Sequence, residues 1–295
     1  MSKLSDRVLT LLLCGSACLT LSGGGQGRAF SAPGKAIVID HTCTQLAAIP
    51  SEWIERAKEA LRIAYGHTSH GSQIVTGMTG LHRWKGDDYR WAPGGGEGAL
   101  DLRAYNFNFG GLKIANDLGN PDRRAWERAT RAYLAAHPEI NVIMWAWCWQ
   151  VNGTKADIDL YLELMGRLEA DFPEVRFVYM TGRLIGQGPN DNVLVRNRQI
   201  RDHCRANGKI LYDFADIESY DPDGAFYADK LANDACDYDS DGDRVRDRNW
   251  AVDWQNAHPG EWFECPAAHT QPLNANLKAY AAWWLWARLA GWDGR

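Results

Sequence analysis

Three apolar runs, NVIMWAW (141–147), VRFVYMTG (175–182) and KILYDFADI (209–217), constrain this chain more than any other feature. Runs without polar alternation suit strands covered on both faces, as in parallel sheets flanked by helices. Between the first two, Ile158, Tyr161, Leu162, Met165 and Leu168 recur at helical spacing. A helix is expected over 191–206, closing near Gly208, and a final helix over 273–290 stops at Gly291. Upstream, KAIVID (35–40) and RIAYG (62–66) read as strands. They flank a helix that starts at Pro50 and Ser51 and carries Trp53, Ile54, Ala57, Ala60 and Leu61 on one face. Asn120 followed by Pro121 predicts a helix start running to about Ala136. Pro93 and Gly94–Gly96 make 84–100 a surface loop, and 218–268 breaks the alternation as an elaborated loop. Strands alternating with helices throughout predict a single α/β domain built on a mostly parallel sheet.

The first 31 residues read as a signal peptide. Lys3 and Arg7 precede the run VLTLLLCGSACLTL (8–21), and AFS offers small residues before a cleavage point after Ser31. The run is too short for a mature membrane span, and a lipoprotein anchor at Cys18 is the weaker option because Gly15 stands where a Leu-type residue belongs. The mature domain, 32–295, is therefore expected to be secreted or periplasmic, without a transmembrane span. A formal charge of −5 argues against nucleic acid as the partner. Five cysteines remain after the leader (Cys43, Cys148, Cys204, Cys236 and Cys265), and export predicts one or two disulfides among them. The fourteen tryptophans, several in WAWCW (145–149) and WWLW (283–286), read either as core or as walls of a sugar-stacking groove.

In open parallel sheets ligands sit beyond the carboxyl ends of strands. The turn after RIAYG is Gly66-His67-Thr68-Ser69-His70-Gly71. A serine on such a turn presents its hydroxyl to solvent, and it needs a histidine base from elsewhere. His269, just before the last helix, occupies a suitable place; in a Gly-rich turn, though, a serine is usually only a turn residue. Cys148, at the end of the apolar run 141–147, reads first as a buried or disulfide-bonded residue and second as a nucleophile beside a histidine.

A serine after the first core strand and a histidine before the last helix resemble the SGNH/GDSL hydrolase superfamily, and GHTSHG is similar to the GHxSxG variant of some bacterial members. The resemblance implies a three-layer α/β/α, flavodoxin-like domain with Ser69 as nucleophile and His269 as base. Where it implies an Asp, three residues before His269, this chain has Pro266, which leaves Glu264 as the nearest orienting acid, with Asp213 or Asp216 as a side possibility. Gln150 stands in for the expected Asn as oxyanion donor, with Gly111 (or Gly110) as the second donor, and His67 and His70 become supporting groups.

Asp237, Asp239 and Asp241 with Gly242 match a D-x-D-x-D-G calcium loop, to which Asp243 and Asp247 can add oxygens. The residue at the twelfth position is Arg248 rather than an acid; a solvated acidic loop is the alternative, at the cost of repulsion among acids this close without a metal. No organic cofactor is expected, and Ca²⁺ is a structural candidate. The expectation is thus an exported serine esterase acting on a small-molecule or polysaccharide ester. The rival is a calcium-stabilised, non-catalytic glycan-binding protein on the same scaffold.

Overall fold

The computed structural model describes residues 34–104, 118, 122–188 and 190–295; the N-terminal segment read as a leader, Gly110, Gly111, Asn120 and Pro121 lie outside them. Seven strands form one sheet: β1 (Ile37–Ile39), β2 (Arg62–Gly66), β3 (Trp91–Ala92), β4 (Leu100–Ala104), β5 (Val142–Trp145), β6 (Arg176–Met180) and β7 (Ile210–Tyr212). Their order is β1-β7-β6-β5-β2-β4-β3, and every neighbouring pair is parallel. Without the edge strands β1 and β3, the chain ranks read 2-1-3-4-5, the flavodoxin-like doubly wound order. Chain progression reverses between β2 and β5, which opens a crevice at their carboxyl ends.

Helices α1 (Ser51–Ala60), α2 (Ser72–Lys85) and α8 (Pro272–Ala290) pack on one another on one side of the sheet. On the other side α4 (Lys155–Asp171) lies between α3 (Ala125–Ala136) and α5 (Asn192–Ala206). The helical stripe Ile158, Tyr161, Leu162, Met165 and Leu168 is buried throughout. Strands β5 and β6 bury almost every side chain, as their uninterrupted apolar sequences require. Most of the clustered tryptophans are core: Trp145, Trp147, Trp283 and Trp286 are buried. Trp145 Nε1 donates to Thr130 Oγ1 at 2.9 Å and Trp147 Nε1 to the Met180 carbonyl at 2.8 Å, so these two indoles meet the need of a buried donor for a partner. Trp149 is the exception, 48% exposed beside the crevice.

Four expectations are corrected. The run 209–217 is not one strand: β7 ends at Tyr212, and the Asp213 carboxylate accepts from the Asp216 N–H to cap the short helix α6 (Phe214–Ile217). Helix α3 begins at Ala125 rather than at 121, after a turn in which Asp122 accepts from the Arg124 N–H at 2.9 Å. The loop 84–100 contains β3 (two residues) and runs into β4, which begins at Leu100 directly after the Gly-rich stretch that hides its start. No disulfide joins any of the five cysteines. Cys43, Cys204 and Cys236 sit in separate parts of the core, where burial pushes their thiols upward, to about 11 for Cys43 and about 12 for Cys236.

The region 218–268 contains a small hairpin, β8 (Asp237–Tyr238) with β9 (Arg248–Asn249), and helix α7 (Trp250–Ala257). Contact between α2 and α8 depends on Gly77. A Cβ there would lie 2.2 Å from the Ala275 carbonyl oxygen of α8, so the backbones touch where a side chain cannot fit. Gly77→Ala gains up to about 1 kcal/mol of helix propensity but must push apart two packed helices, an overpacking cost of about 1–3 kcal/mol. We expect a net loss of stability, read as a lower urea midpoint at unchanged m-value.

Candidate functional site

After β2 the chain turns through His67–Gly71 directly into α2. Gly71 allows this turn to press against the end of β5. A Cβ at 71 would lie 2.5 Å from the Ala146 and His67 Cβ atoms and 2.7 Å from the Tyr65 hydroxyl. Tyr65 in turn donates to the Gly71 carbonyl at 2.9 Å, and Ala146 N–H donates to the Gly66 carbonyl at 2.8 Å. The two strand ends on either side of the crevice are thereby locked together, and Cys148 emerges beside the turn.

His70 is the centre of the resulting cluster and is only 3% exposed. Its Nδ1 lies 3.0 Å from Cys148 Sγ and its Nε2 lies 2.8 Å from Asp234 Oδ2. Arg183, just past β6, places Nη1 2.7 Å from the same carboxylate oxygen, and its guanidinium carbon lies 5.4 Å from the Trp149 ring centre. The ring of His269 stacks on His70, with centroids 4.4 Å apart and planes 13° from parallel. His269 is exposed and holds a left-handed backbone (φ 64°) just before α8.

The tautomer follows from these partners. Burial raises the Asp234 carboxyl, but the hydrogen bond from His70 and the charges of Arg183 and Lys278 outweigh it and hold the group below the usual carboxylate value. An ionised carboxylate only accepts, so Nε2 of His70 carries the hydrogen. Burial dominates at His70 and lowers its pKa despite Asp234, with Arg183 and His269 acting in the same direction. A neutral ring protonated at Nε2 has its lone pair on Nδ1, aimed at the Cys148 thiol. Thiol, imidazole and carboxylate form a chain in which the ring can accept a proton from sulfur and the acid can stabilise the imidazolium.

Ser69 is half-buried on the same turn; its carbonyl accepts from Ser72 Oγ at 2.6 Å, and no hydrogen bond joins Ser69 to His269 among the described residues. Glu264 is exposed and makes no hydrogen bond with His269, while Asp213 pairs with Arg201 and Asp216 with His41. The acid of the site is Asp234, which has no motif around it in sequence. Gln150 accepts from the Trp149 N–H through Oε1 at 3.1 Å. His67 Nδ1 lies 3.0 Å from the Thr68 carbonyl, its ring 4.9 Å from that of Tyr65, and burial lowers its pKa. Gly111 lies outside the described residues.

The acidic loop spans the β8–β9 hairpin. Carboxylate oxygens of Asp239, Asp241 and Asp243 converge within 4.8 Å of one another. Asp237 instead accepts from Asn249 Nδ2 and Asp247 from Ser240, so the convergent set is shifted two residues along from the D-x-D-x-D-G register. Two clefts open elsewhere, one of about 510 Å³ lined by Leu184, Arg201 and Tyr220 and one of about 550 Å³ lined by Trp84, Tyr89 and Trp254. Neither is lined by Cys148, His70 or Asp234, so shape and reactive chemistry point to different places. The chemistry is the stronger guide because, among the described residues, this cluster aligns a nucleophile, a base and an acid. No family model matches the chain, and no curated protein matches it.

The depressed pKa values of His67 and His70 set a pH dependence of stability. Unfolded histidine titrates near 6.5, so the contribution is complete above that value. It declines below it, because the unfolded chain binds protons that the folded chain refuses. Each histidine adds a slope of up to about 1.4 kcal/mol per pH unit until its folded pKa is reached. Asp234 acts in the same direction at lower pH: its contribution is present above about 3.9 and is lost as pH falls through its lowered folded value. Urea midpoints should fall between pH 7 and 5, and His70→Gln should flatten part of that fall.

Proposed function

We propose that the chain is an acyl-transfer hydrolase in which Cys148 is the nucleophile, His70 the general base and Asp234 the orienting acid. The observation that carries this reading is the single buried imidazole bridging sulfur and carboxylate at 3.0 and 2.8 Å. As the Cys148 sulfur attacks an acyl carbon, its proton passes to His70 Nδ1. The same proton leaves with the departing alcohol or thiol, and water then hydrolyses the thioester with His70 again as base. Gln150 Nε2 is the candidate side-chain donor to the oxyanion. Trp149 and His269, both exposed, flank the site and suit a flat or sugar-bearing ester. Export by the N-terminal segment belongs to the same proposal.

Cys148→Ala and His70→Ala should each lower p-nitrophenyl acetate hydrolysis by at least about 100-fold, while Ser69→Ala and His269→Ala stay within a few fold of wild type. The reverse pattern, with Ser69 labelled by a fluorophosphonate, would replace the thiol with the serine. No hydrolysis, together with no preferential alkylation of Cys148, would remove the enzyme reading and favour the glycan-binding one.

A second part of the proposal is a structural Ca²⁺ held by Asp239, Asp241 and Asp243, whose hard carboxylate oxygens suit that ion. The melting temperature should drop in EGTA and recover with excess calcium. Identical melts under both conditions would show that the loop is a solvated turn.

A further inference from the structure

Lys278, on α8, is fully buried, and so is its partner Glu218, with Nζ 2.8 Å from Oε2. The ammonium also donates to Gln73 Oε1 at 2.5 Å and lies 3.7 Å from the centre of the Phe214 ring. A buried ion pair costs desolvation that hydrophobic side chains of similar volume would not. The reason for keeping one here lies in what its two partners hold.

One arm runs through Gln73. This residue is in the first turn of α2, and its N–H donates to the His70 carbonyl at 3.2 Å. Its Nε2 donates to the Ala268 carbonyl at 2.5 Å, immediately before His269. The other arm runs through Glu218, whose Oε1 accepts the Leu184 N–H in a short hydrogen bond. Leu184 follows Arg183, and its carbonyl accepts the Asp234 N–H at 3.1 Å. One arm therefore fixes the backbone of the base and the ring stacked on it, and the other fixes the acid and the arginine paired with it. Both arms meet at one nitrogen.

We infer that Lys278, with Gln73 and Glu218, is a positioning residue that sets the Asp234–His70–Cys148 alignment. This inference rests on the thiol-hydrolase reading of the same cluster. Its prediction concerns thiol reactivity and needs no knowledge of the substrate. With the network intact, the Cys148 proton passes to an aligned His70 as the sulfur attacks; with it cut, that transfer loses its aligned acceptor and the thiol alkylates at the rate and pH profile of an ordinary one.

The test is the pH dependence of Cys148 alkylation by iodoacetamide, followed by mass mapping of its peptide so that Cys265 and the buried thiols are counted separately. Removing only one partner of the pair strands a charge in the core, so the variants are the neutral double Lys278→Met/Glu218→Gln and the single Gln73→Leu, which keeps the ion pair. Thermal melts establish that each is folded at the assay temperature. Both should alkylate at least tenfold more slowly than wild type at pH 7, with profiles moved toward that of His70→Ala. A merely structural role would lower the melting temperature and leave the profile of the folded protein in place. If His70→Ala shifts the profile while the network variants overlay wild type, the positioning role is overturned and the thiol reading survives. If His70→Ala itself overlays wild type, the thiol reading falls and takes the inference with it.

Discussion

A lysine with no exposure to water is the constraint around which this fold is organised. Lys278 sits in the first half of the last helix and ties that C-terminal segment to α2 and to the end of α6. Its ammonium can be desolvated only with a carboxylate and further acceptors in position, which Glu218 and Gln73 provide from α6's end and from α2. Burial dominates at Glu218 and raises its carboxyl above the usual value, while the Lys278 ammonium beside it acts in the opposite direction. Segments more than two hundred residues apart in sequence are thereby held in a single arrangement, and the close α2–α8 approach at Gly77 leaves little room for another.

That arrangement is useful because of strand order. In a doubly wound sheet the carboxyl ends on either side of the reversal are not covered by the same crossover, so loops from both halves can meet there. Here the loops after β2, β5 and β6 converge, and each contributes one charged, basic or nucleophilic group: His70, Cys148 and Arg183. Asp234 comes from the elaborated region that follows β7, tied back to Leu184 by a backbone hydrogen bond. The insertion that breaks the regular alternation thus supplies the one acid the regular elements do not.

Much of the fold was legible in sequence because buried parallel strands and amphipathic helices write strong periodicities; RIAYG and the stripe of α4 are found where the pattern places them. Misreadings arose where local chemistry overrides the pattern. Asp213 ends an apolar run by capping α6, and β4 is a short strand whose partner, β2, gives it its identity. The turn 66–71 was recognisable as a site for its place after a strand, and Cys148 was visible as a strand-end thiol with a second possible use. What no linear pattern shows is pairing across 78 and 164 residues, the separations of His70 from Cys148 and Asp234. The resemblance to a serine hydrolase directed attention to His269, whose ring does reach the site, but as the stacking neighbour of His70.

The protonation balance explains why sulfur rather than oxygen suits this cluster. Burial keeps His70 neutral and a weaker base than an exposed imidazole. Withdrawing a proton from an alcohol would ask a great deal of such a ring, whereas a thiol near 8.5 asks little. Arg183 discourages a charged imidazolium at rest and Asp234 encourages one, so the resting pair is thiol and neutral ring, with the carboxylate already oriented for the charge that appears during attack. A permanent thiolate is open to oxidation. For the proposed hydrolase, a thiol that ionises only when an acyl carbon is presented would keep its nucleophilicity for the reaction, and a buried, neutral histidine suits that behaviour.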